Sequence, residues 1–299
     1  MRVSQTANEA STPGGIERLL PVLVHIQTNL DQDLSLEALA NRAGLSPFHF
    51  HRLFRSAVGE TLKQYTQRLR LERAASRLVI NDAAILDVAL DSGFQSHETF
   101  SRQFKRRFQV TPKSYRRWAR GKMKQNSSST QPIDELHAEF QLSKTSVIRL
   151  AQLHVAFIRN VGPYETVTDT LWHKLADWAK SKRLPRDLIF LGIAHDAPGV
   201  TPPERLRFDA AVVVPEPFSP EGTIGHQVLR SAEFALTTHV GHYRTLSKAY
   251  ATIVQRVAKL KKFRFAGLPA IEVYRTTRVD ARHEMNHTEI YLQVSRVKK

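Results

Sequence analysis

The chain has 299 residues, 41% of them hydrophobic, and its 44 Lys/Arg against 28 Asp/Glu give a formal charge of +16. That length allows two domains with cores of their own, and such a charge attracts polyanions. The lack of cysteine excludes disulfides and thiolate metal sites and fits a reducing compartment; no apolar run approaches about 18 residues and Met1 to Gly15 is polar, so a cytoplasmic protein is expected, with neither membrane insertion nor secretion.

Between Leu34 and Tyr115 the chain carries one pattern twice, fifty residues apart. Phe50-His-Arg-Leu-Phe54 aligns with Phe100-Ser-Arg-Gln-Phe104, Thr61 falls on Thr111 and Tyr65 on Tyr115. Upstream, Ala43-Gly44-Leu45-Ser46 answers Ser92-Gly93-Phe94-Gln95, one residue out of register. The pattern is that of a duplicated helix-turn-helix, which can dock two helices in successive major grooves without a second subunit. In the first unit Ser46 can cap a helix that has Pro47 at its first position and ends at Gly59. Phe50, Leu53, Phe54 and Ala57 form its inward stripe, so His51, Arg52 and Arg55 turn away from the core.

Thr61 to Gln64 is a capping-box pattern opening a helix that continues to about Ile80, roughly 30 Å at 1.5 Å per residue and close to the roughly 34 Å of one DNA turn. Its apolar residues shift from Leu62, Tyr65 and Leu69 to Leu71, Ala74, Ala75 and Leu78, as expected of a helix that packs first on one unit and then on the other. Ser96 can cap the second reader helix, with Glu98 in the first turn. Phe100, Phe104 and Phe108 point inward, which leaves His97, Glu98, Ser101, Arg102 and Lys105 outward. Arg suits guanine, Glu can accept from cytosine N4, and Lys105, Arg106, Lys113 and Arg116 suit phosphates.

These motifs, and above all Ala89 to Arg116, make residues 16–118 resemble the DNA-binding domain of the AraC/XylS family. The resemblance implies base-edge contacts by Phe48, His51 and Arg52 in the first reader and by His97, Glu98 and Arg102 in the second. It also implies an activator that contacts RNA polymerase.

Gly121 to Pro132 is nearly free of apolar residues and holds three consecutive serines, a linker composition. Three regions follow: an all-α reader over 16–120, a linker over 121–142, and a domain over 143–299. Residues 16–120 hold 17 Lys/Arg against 10 Asp/Glu and residues 143–299 hold 24 against 14, so charge alone does not say which half touches DNA.

The second half is β-rich and also duplicated, at an offset of about 79 residues. Val155 to Thr166 aligns with Phe234 to Thr245, each followed by a helical segment, and Arg207 to Val214 answers His287 to Val294. An α+β domain of two pseudo-symmetric strand-helix-strand-strand units is expected, two sheets with a groove between them where a ligand can bind. The motifs Gly162-Pro-Tyr164, Arg207-Phe-Asp209, Gly241-His-Tyr243, Pro269 to Tyr274 and Thr288-Glu-Ile290 make residues 145–297 resemble the GyrI-like effector-binding family; His242 stands where proline is common. The resemblance implies a small, lipophilic and often cationic effector, held in an aromatic cleft with an acid.

A carboxylate among aromatic rings suits such a cation, because it offers a charge partner and the rings exclude water. Glu272 is the first candidate for the acid and Glu289 the second, with Tyr164, Trp172, Phe208, Tyr243 and Tyr274 as walls. No catalytic, metal or cofactor site is expected. His283-Glu-Met-Asn-His287 matches a zinc-hydrolase pattern, but it lies between a strand ending near Tyr274 and another starting at Thr288 rather than on a long helix; His239 and His242 sit in a Gly-containing turn without a third ligand.

The sequence therefore reads as an effector-controlled, sequence-specific DNA-binding regulator that acts as a monomer on DNA. Two alternatives stand beside it. One is a GyrI-like hydrolase of reactive small molecules fused to a DNA reader, with Glu272 and Tyr274 catalytic; the other is a DNA binder whose second domain docks a protein.

Overall fold

In a computed structural model the described residues are 15–128, 140–185, 187–275 and 286–297. The first half is helical: α1 (Gly15–Thr28), α2 (Leu36–Arg42), α3 (Pro47–Val58), α4 (Leu62–Ile80), α5 (Ile85–Asp91), α6 (His97–Phe108) and α7 (Pro112–Ser128). Caps fix the register of each reader. Ser46 Oγ accepts from the His49 amide at 3.3 Å and Ser96 Oγ from the Thr99 amide at 3.2 Å. α3 stops at Gly59 in the left-handed region (φ 75°), and α6 stops in the same way at Gln109 (φ 62°), where the side chain bears the strain that glycine avoids.

Each reader has its own core. Leu39, Phe50, Phe54, Tyr65 and Leu69 close the first; Leu71, Ala74, Leu78, Phe100, Phe104 and Tyr115 close the second. Since α4 contributes Leu62, Tyr65 and Leu69 to one and Leu71, Ala74, Ala75 and Leu78 to the other, it is the strut that sets their separation. Its N-terminus carries the full capping box between Thr61 and Gln64.

Two features revise the expected linker over 121–142. Residues 121–128 continue α7, and Phe140–Leu142 form β1, which pairs with a strand of the second domain.

The remaining strands are β2 (Ser146–Leu150), β3 (Leu153–Val161), β4 (Phe190–Ala194), β5 (Arg207–Val214), β6 (Gly225–Leu229), β7 (Ala232–Gly241), β8 (Phe263–Tyr274) and β9 (Asn286–Arg296), with helices α8 (Asp169–Ser181) and α9 (Leu246–Ala258). Each repeat is a strand, a helix and two strands: β3-α8-β4-β5 and β7-α9-β8-β9. The two expected sheets are one, in the order β1-β7-β9-β8-β4-β5-β3-β6 with β2 also on β7. β4 and β8 pair antiparallel at its centre, so β7, β9 and β8 on one side mirror β3, β5 and β4 on the other.

Strand alternation gives the sheet two faces. One is covered by α8 and α9, with Phe208, Ala210, Ala270, Ile290 and Leu292 among its buried residues. The other receives α1 of the reader domain, whose Leu20 and Val24 pack on Val155, Phe157, Leu191, Ala211, Ile271 and Tyr291. α4 is tied down as well. Asn81 mimics a strand neighbour, donating from Nδ2 to Phe265 O at 2.8 Å and accepting from Phe265 N at 2.9 Å, while Arg77 donates from Nε to Ala266 O at 3.0 Å and from Nη1 to Asp91 O at 2.8 Å.

Candidate functional site

Each reader helix buries its phenylalanines and shows the opposite face to solvent. Phe50 and Phe54 are fully buried while Arg52 and Arg55 are exposed, His51 is half-buried, and Phe48 stands 78% exposed in the first turn of α3. On α6, Phe100 and Phe104 are buried, His97, Glu98, Arg102 and Lys105 are exposed, and Ser101 lies 3.4 Å from His97 Nε2. Glu98, at the N-terminus of α6, has its carboxyl held below the usual range by its own backbone N–H and by Ser96, so it faces outward as an anion. Arg106 and Lys113 are exposed too.

Arg116 departs from the expectation. Its Nη2 donates to Ala83 O at 2.7 Å, so this guanidinium fastens α7 to the turn after α4 instead of facing a phosphate. The reason lies in the second unit's helical phase, which puts Arg116 beside the buried Tyr115 while Arg117 is exposed.

On the helix-covered face of the sheet, Glu272 is 7% exposed at the middle of an aromatic cluster. Its Oε1 accepts from Tyr250 Oη at 2.8 Å and its Oε2 from Tyr274 Oη at 2.7 Å. The Tyr274 ring meets Trp172 edge-on at 5.3 Å and Tyr243 at 5.6 Å; Phe208 meets Tyr164 at 5.9 Å and Trp172 at 6.4 Å. Five expected walls thus surround the expected acid. Gly192 makes this approach possible, because a Cβ there would run into the Phe208 ring and lie 2.6 Å from Tyr274 Oη. His242 caps the turn before Tyr243, its Nδ1 accepting from Arg244 N at 3.1 Å, which proline could not do.

Tyr250 is the member that sequence reasoning missed. At the repeat offset Leu171 stands in its place, so no motif marks it; only its position beside the inward stripe Ala249, Ile253, Val257 of α9 could have pointed to it. Burial, and then Glu272, push its hydroxyl well above the usual tyrosine range, so it stays a donor.

Glu289 is not in this cleft. Val273 is its cross-strand partner, whereas Glu272 faces Ile290, and residues directly opposite share a face, so Glu289 points to the other side of the sheet. There Arg275 Nη2 donates to its Oε2 at 2.9 Å and Tyr291 Oη at 2.6 Å.

That second face holds a polar assembly behind the cleft. Asp209, fully buried, accepts from Arg159 Nε at 2.7 Å and Nη2 at 2.8 Å, and from Gln227 Nε2 at 2.8 Å, and lies 2.7 Å from His195 Nε2. Burial pushes its carboxyl up, but Arg159 and His195 outweigh it and hold the group well below the usual range. Arg207, two residues earlier, forks onto Asp196 through Nε at 2.9 Å and Nη2 at 2.7 Å, and its Nη1 reaches Gln27 Oε1 and Tyr65 Oη, both at 3.2 Å. So β5 carries Phe208 in the cleft and Arg207 and Asp209 toward the reader.

Of the zinc-like motif, His287 lies on strand β9 and His283 lies outside the described residues. Among the described residues no group of three or more His, Asp or Glu is placed to hold a metal, and no helix is long and apolar enough to cross a membrane.

Comparison with known proteins agrees with both halves. The family described as the GyrI-like small molecule binding domain matches residues 143–295, and a helix-turn-helix domain matches residues 39–117. The transposon Tn10 TetD protein of Escherichia coli is 45% identical over 96 residues, which are 32% of this chain and 70% of TetD. The regulatory protein SoxS of Salmonella typhimurium is 36% identical over 101 residues, 33% of this chain and 94% of SoxS. The transcriptional regulator Rob of Salmonella typhimurium is 40% identical over 96 residues, and the match spans 33% of Rob's length and 32% of this chain.

Proposed function

Because this chain belongs to the GyrI-like small-molecule-binding family over its second half and to the AraC-type helix-turn-helix regulators over its first, we propose that it is a cytoplasmic transcription activator switched by a lipophilic cation. One observation carries the effector reading: Glu272, almost fully buried, is held between the Tyr250 and Tyr274 hydroxyls inside a ring of aromatic edges and faces. A cation entering there gains a charge partner and the quadrupoles of Trp172, Tyr243 and Tyr274, and the closed rings keep water from competing.

On DNA, α3 and α6 lie in successive major grooves as one monomer. Phe48, His51, Arg52 and Arg55 read or clamp one half-site, and His97, Glu98, Ser101, Arg102 and Lys105 the other. The outward carboxylate of Glu98 supports sequence reading, since a nonspecific binder gains nothing from an anion turned toward phosphates. RNA polymerase is the downstream partner in this reading, and the second domain senses without turning over its ligand.

The test is selection of bound genomic fragments with and without a library of lipophilic cations, followed by recovery of the ligand. An effector that changes DNA occupancy and returns chemically unchanged supports the reading. A ligand returned hydrolysed would instead favour an enzyme.

A further inference from the structure

The two faces of the sheet are not equivalent, and the face turned to the reader has a cavity of its own. It has a volume of about 230 Å³ and lies between α1 and α4 on one side and the loop after β4, β5, β6 and the second half of β8 on the other. Polar groups from both domains reach it. Gln27, Glu72 and Arg73 come from the reader domain, and Thr201, Arg207 and Gln227 from the sensor domain.

Several of these side chains are buried with hydrogen-bonding capacity that the protein leaves unused. Gln27 turns its Oε1 to Arg207, which leaves Nε2 without a protein partner. Arg73 Nη1 is likewise buried and unpartnered, and burial disfavours its charge, with only Asp31 and Asp91 acting on it from a distance. Glu72 gives Oε2 to Arg68 at 3.2 Å, its Oε1 lies 3.6 Å from Arg107 Nη2, and the Thr201 hydroxyl acts on the same carboxyl, so this pair is partly satisfied by the protein and can accept further. Buried polar atoms in folded proteins are nearly always satisfied, so the two unsatisfied donors of Gln27 and Arg73 on a single cavity call for an occupant.

Their chemistry specifies it. Arg73 and Gln27 offer donors, and the cation of Arg73 lacks the counter-ion that Arg207 finds in Asp196 and Arg68 in Glu72. Glu72 and Thr201 offer acceptors. At about 30 Å³ per water-sized unit the space takes roughly eight non-hydrogen atoms, too few for a drug-sized lipophile. We propose that this junction cavity is a second ligand site, separate from the aromatic cleft, which takes a small carboxylate carrying a hydroxyl or amine: the carboxylate on Arg73 and Gln27, the donor on Glu72 and Thr201.

Because the walls come from both domains, such an acid ties reader to sensor and acts on DNA affinity independently of the cleft. An unpaired buried guanidinium is also unfavourable in the ligand-free protein, so Arg73 is a residue kept at the expense of stability.

The test uses the full chain and a panel of L-malate, L-aspartate and L-serine, with acetate and propane-1,2-diol as fragments holding half of the pattern. Thermal unfolding and calorimetry should show stabilisation by a hydroxy- or amino-acid that neither fragment reproduces. Arg73→Met should abolish the effect while leaving the ligand-free Tm equal or higher, and Thr201→Val should weaken binding about tenfold, the loss of one hydrogen bond. Glu272→Gln should leave the effect intact, which separates this site from the cleft. Stabilisation that survives Arg73→Met, or that Glu272→Gln removes, overturns the proposal; so does a panel in which no acid binds.

Discussion

Arg207 of the sensor domain donates from Nη1 to the Tyr65 hydroxyl of the first reader at 3.2 Å, and the next residue on the same strand, Phe208, lines the aromatic cleft. One strand therefore has the aromatic cluster around Glu272 on one side and the core of the first reader on the other. Tyr65 also packs edge-on against Phe54 at 5.5 Å, so the contact ends at the core beneath α3. Tyr65→Phe keeps that packing and removes the acceptor for Arg207. We expect it to lower stability by about 1 to 2 kcal/mol, the cost of a buried donor left short of a partner, to leave DNA affinity without effector nearly unchanged, and to blunt the change in affinity on adding effector. Binding titrations with labelled DNA, with and without effector, measure all three.

Arg→Ala at Arg52 or Arg102 should cost about 1 to 3 kcal/mol on the selected site and relax base preference within its own half-site. Lys105→Ala should weaken all sequences alike and reduce the salt slope by about one. A footprint confined to a single groove would refute the two-reader arrangement.

Both readers are on one chain, with the 19-residue α4 between them, so one monomer should occupy a site of roughly 20 base pairs that need not be palindromic. Sedimentation of the complex measures the ratio. An obligatory two-to-one complex on a palindrome would count against it.

Glu272→Gln retains shape and loses charge. Lipophilic cations should bind this variant more weakly, whereas neutral analogues of equal size should be little affected. Equal losses for both would move the recognising charge elsewhere, and tighter binding of anions would reverse the expected sign, in line with the chain's net +16. Gly192→Ala, which drives a methyl into Phe208 and Tyr274, should weaken both ligand classes together.

His239 is fully buried on β7, beside Phe140 and 2.8 Å from Thr245 Oγ1 through Nε2, and burial lowers its pKa from 6.5 to about 4. Its folded value lies below its unfolded one, so its contribution is complete above pH 6.5 and is lost as pH falls toward 4, because the unfolded chain takes up the proton first. The shift corresponds to roughly 3 kcal/mol. His239→Gln, which keeps a polar group for Thr245 but cannot charge, should flatten the fall in Tm across that window.

The sequence by itself determined the readers, because their signals are local: Ser46 and Ser96 cap, Gly59 stops, and the phenylalanines at helical spacing choose the buried side, so the outward residues follow by subtraction. It determined the order of elements in the second half for the same reason, and its motifs named Glu272 and four of the five aromatic candidates around it, Trp172 coming from the helical segment that follows the first strand. What it left open depends on pairing. Whether β4 joins β8 decides between one sheet and two, and no local pattern encodes that contact. Glu289 shows the consequence, since strand period assigns a residue to one of two faces but only the register with Val273 says which face. Tyr250 joins the cleft through the docking of α9, and Arg116 leaves the DNA surface through a bond to Ala83, both contacts that exist only after packing. The junction between the domains belongs wholly to the tertiary structure: Arg207 to Tyr65 and Asn81 to Phe265 are 142 and 184 residues apart, and a desolvated contact over such a distance leaves no period in the sequence to read.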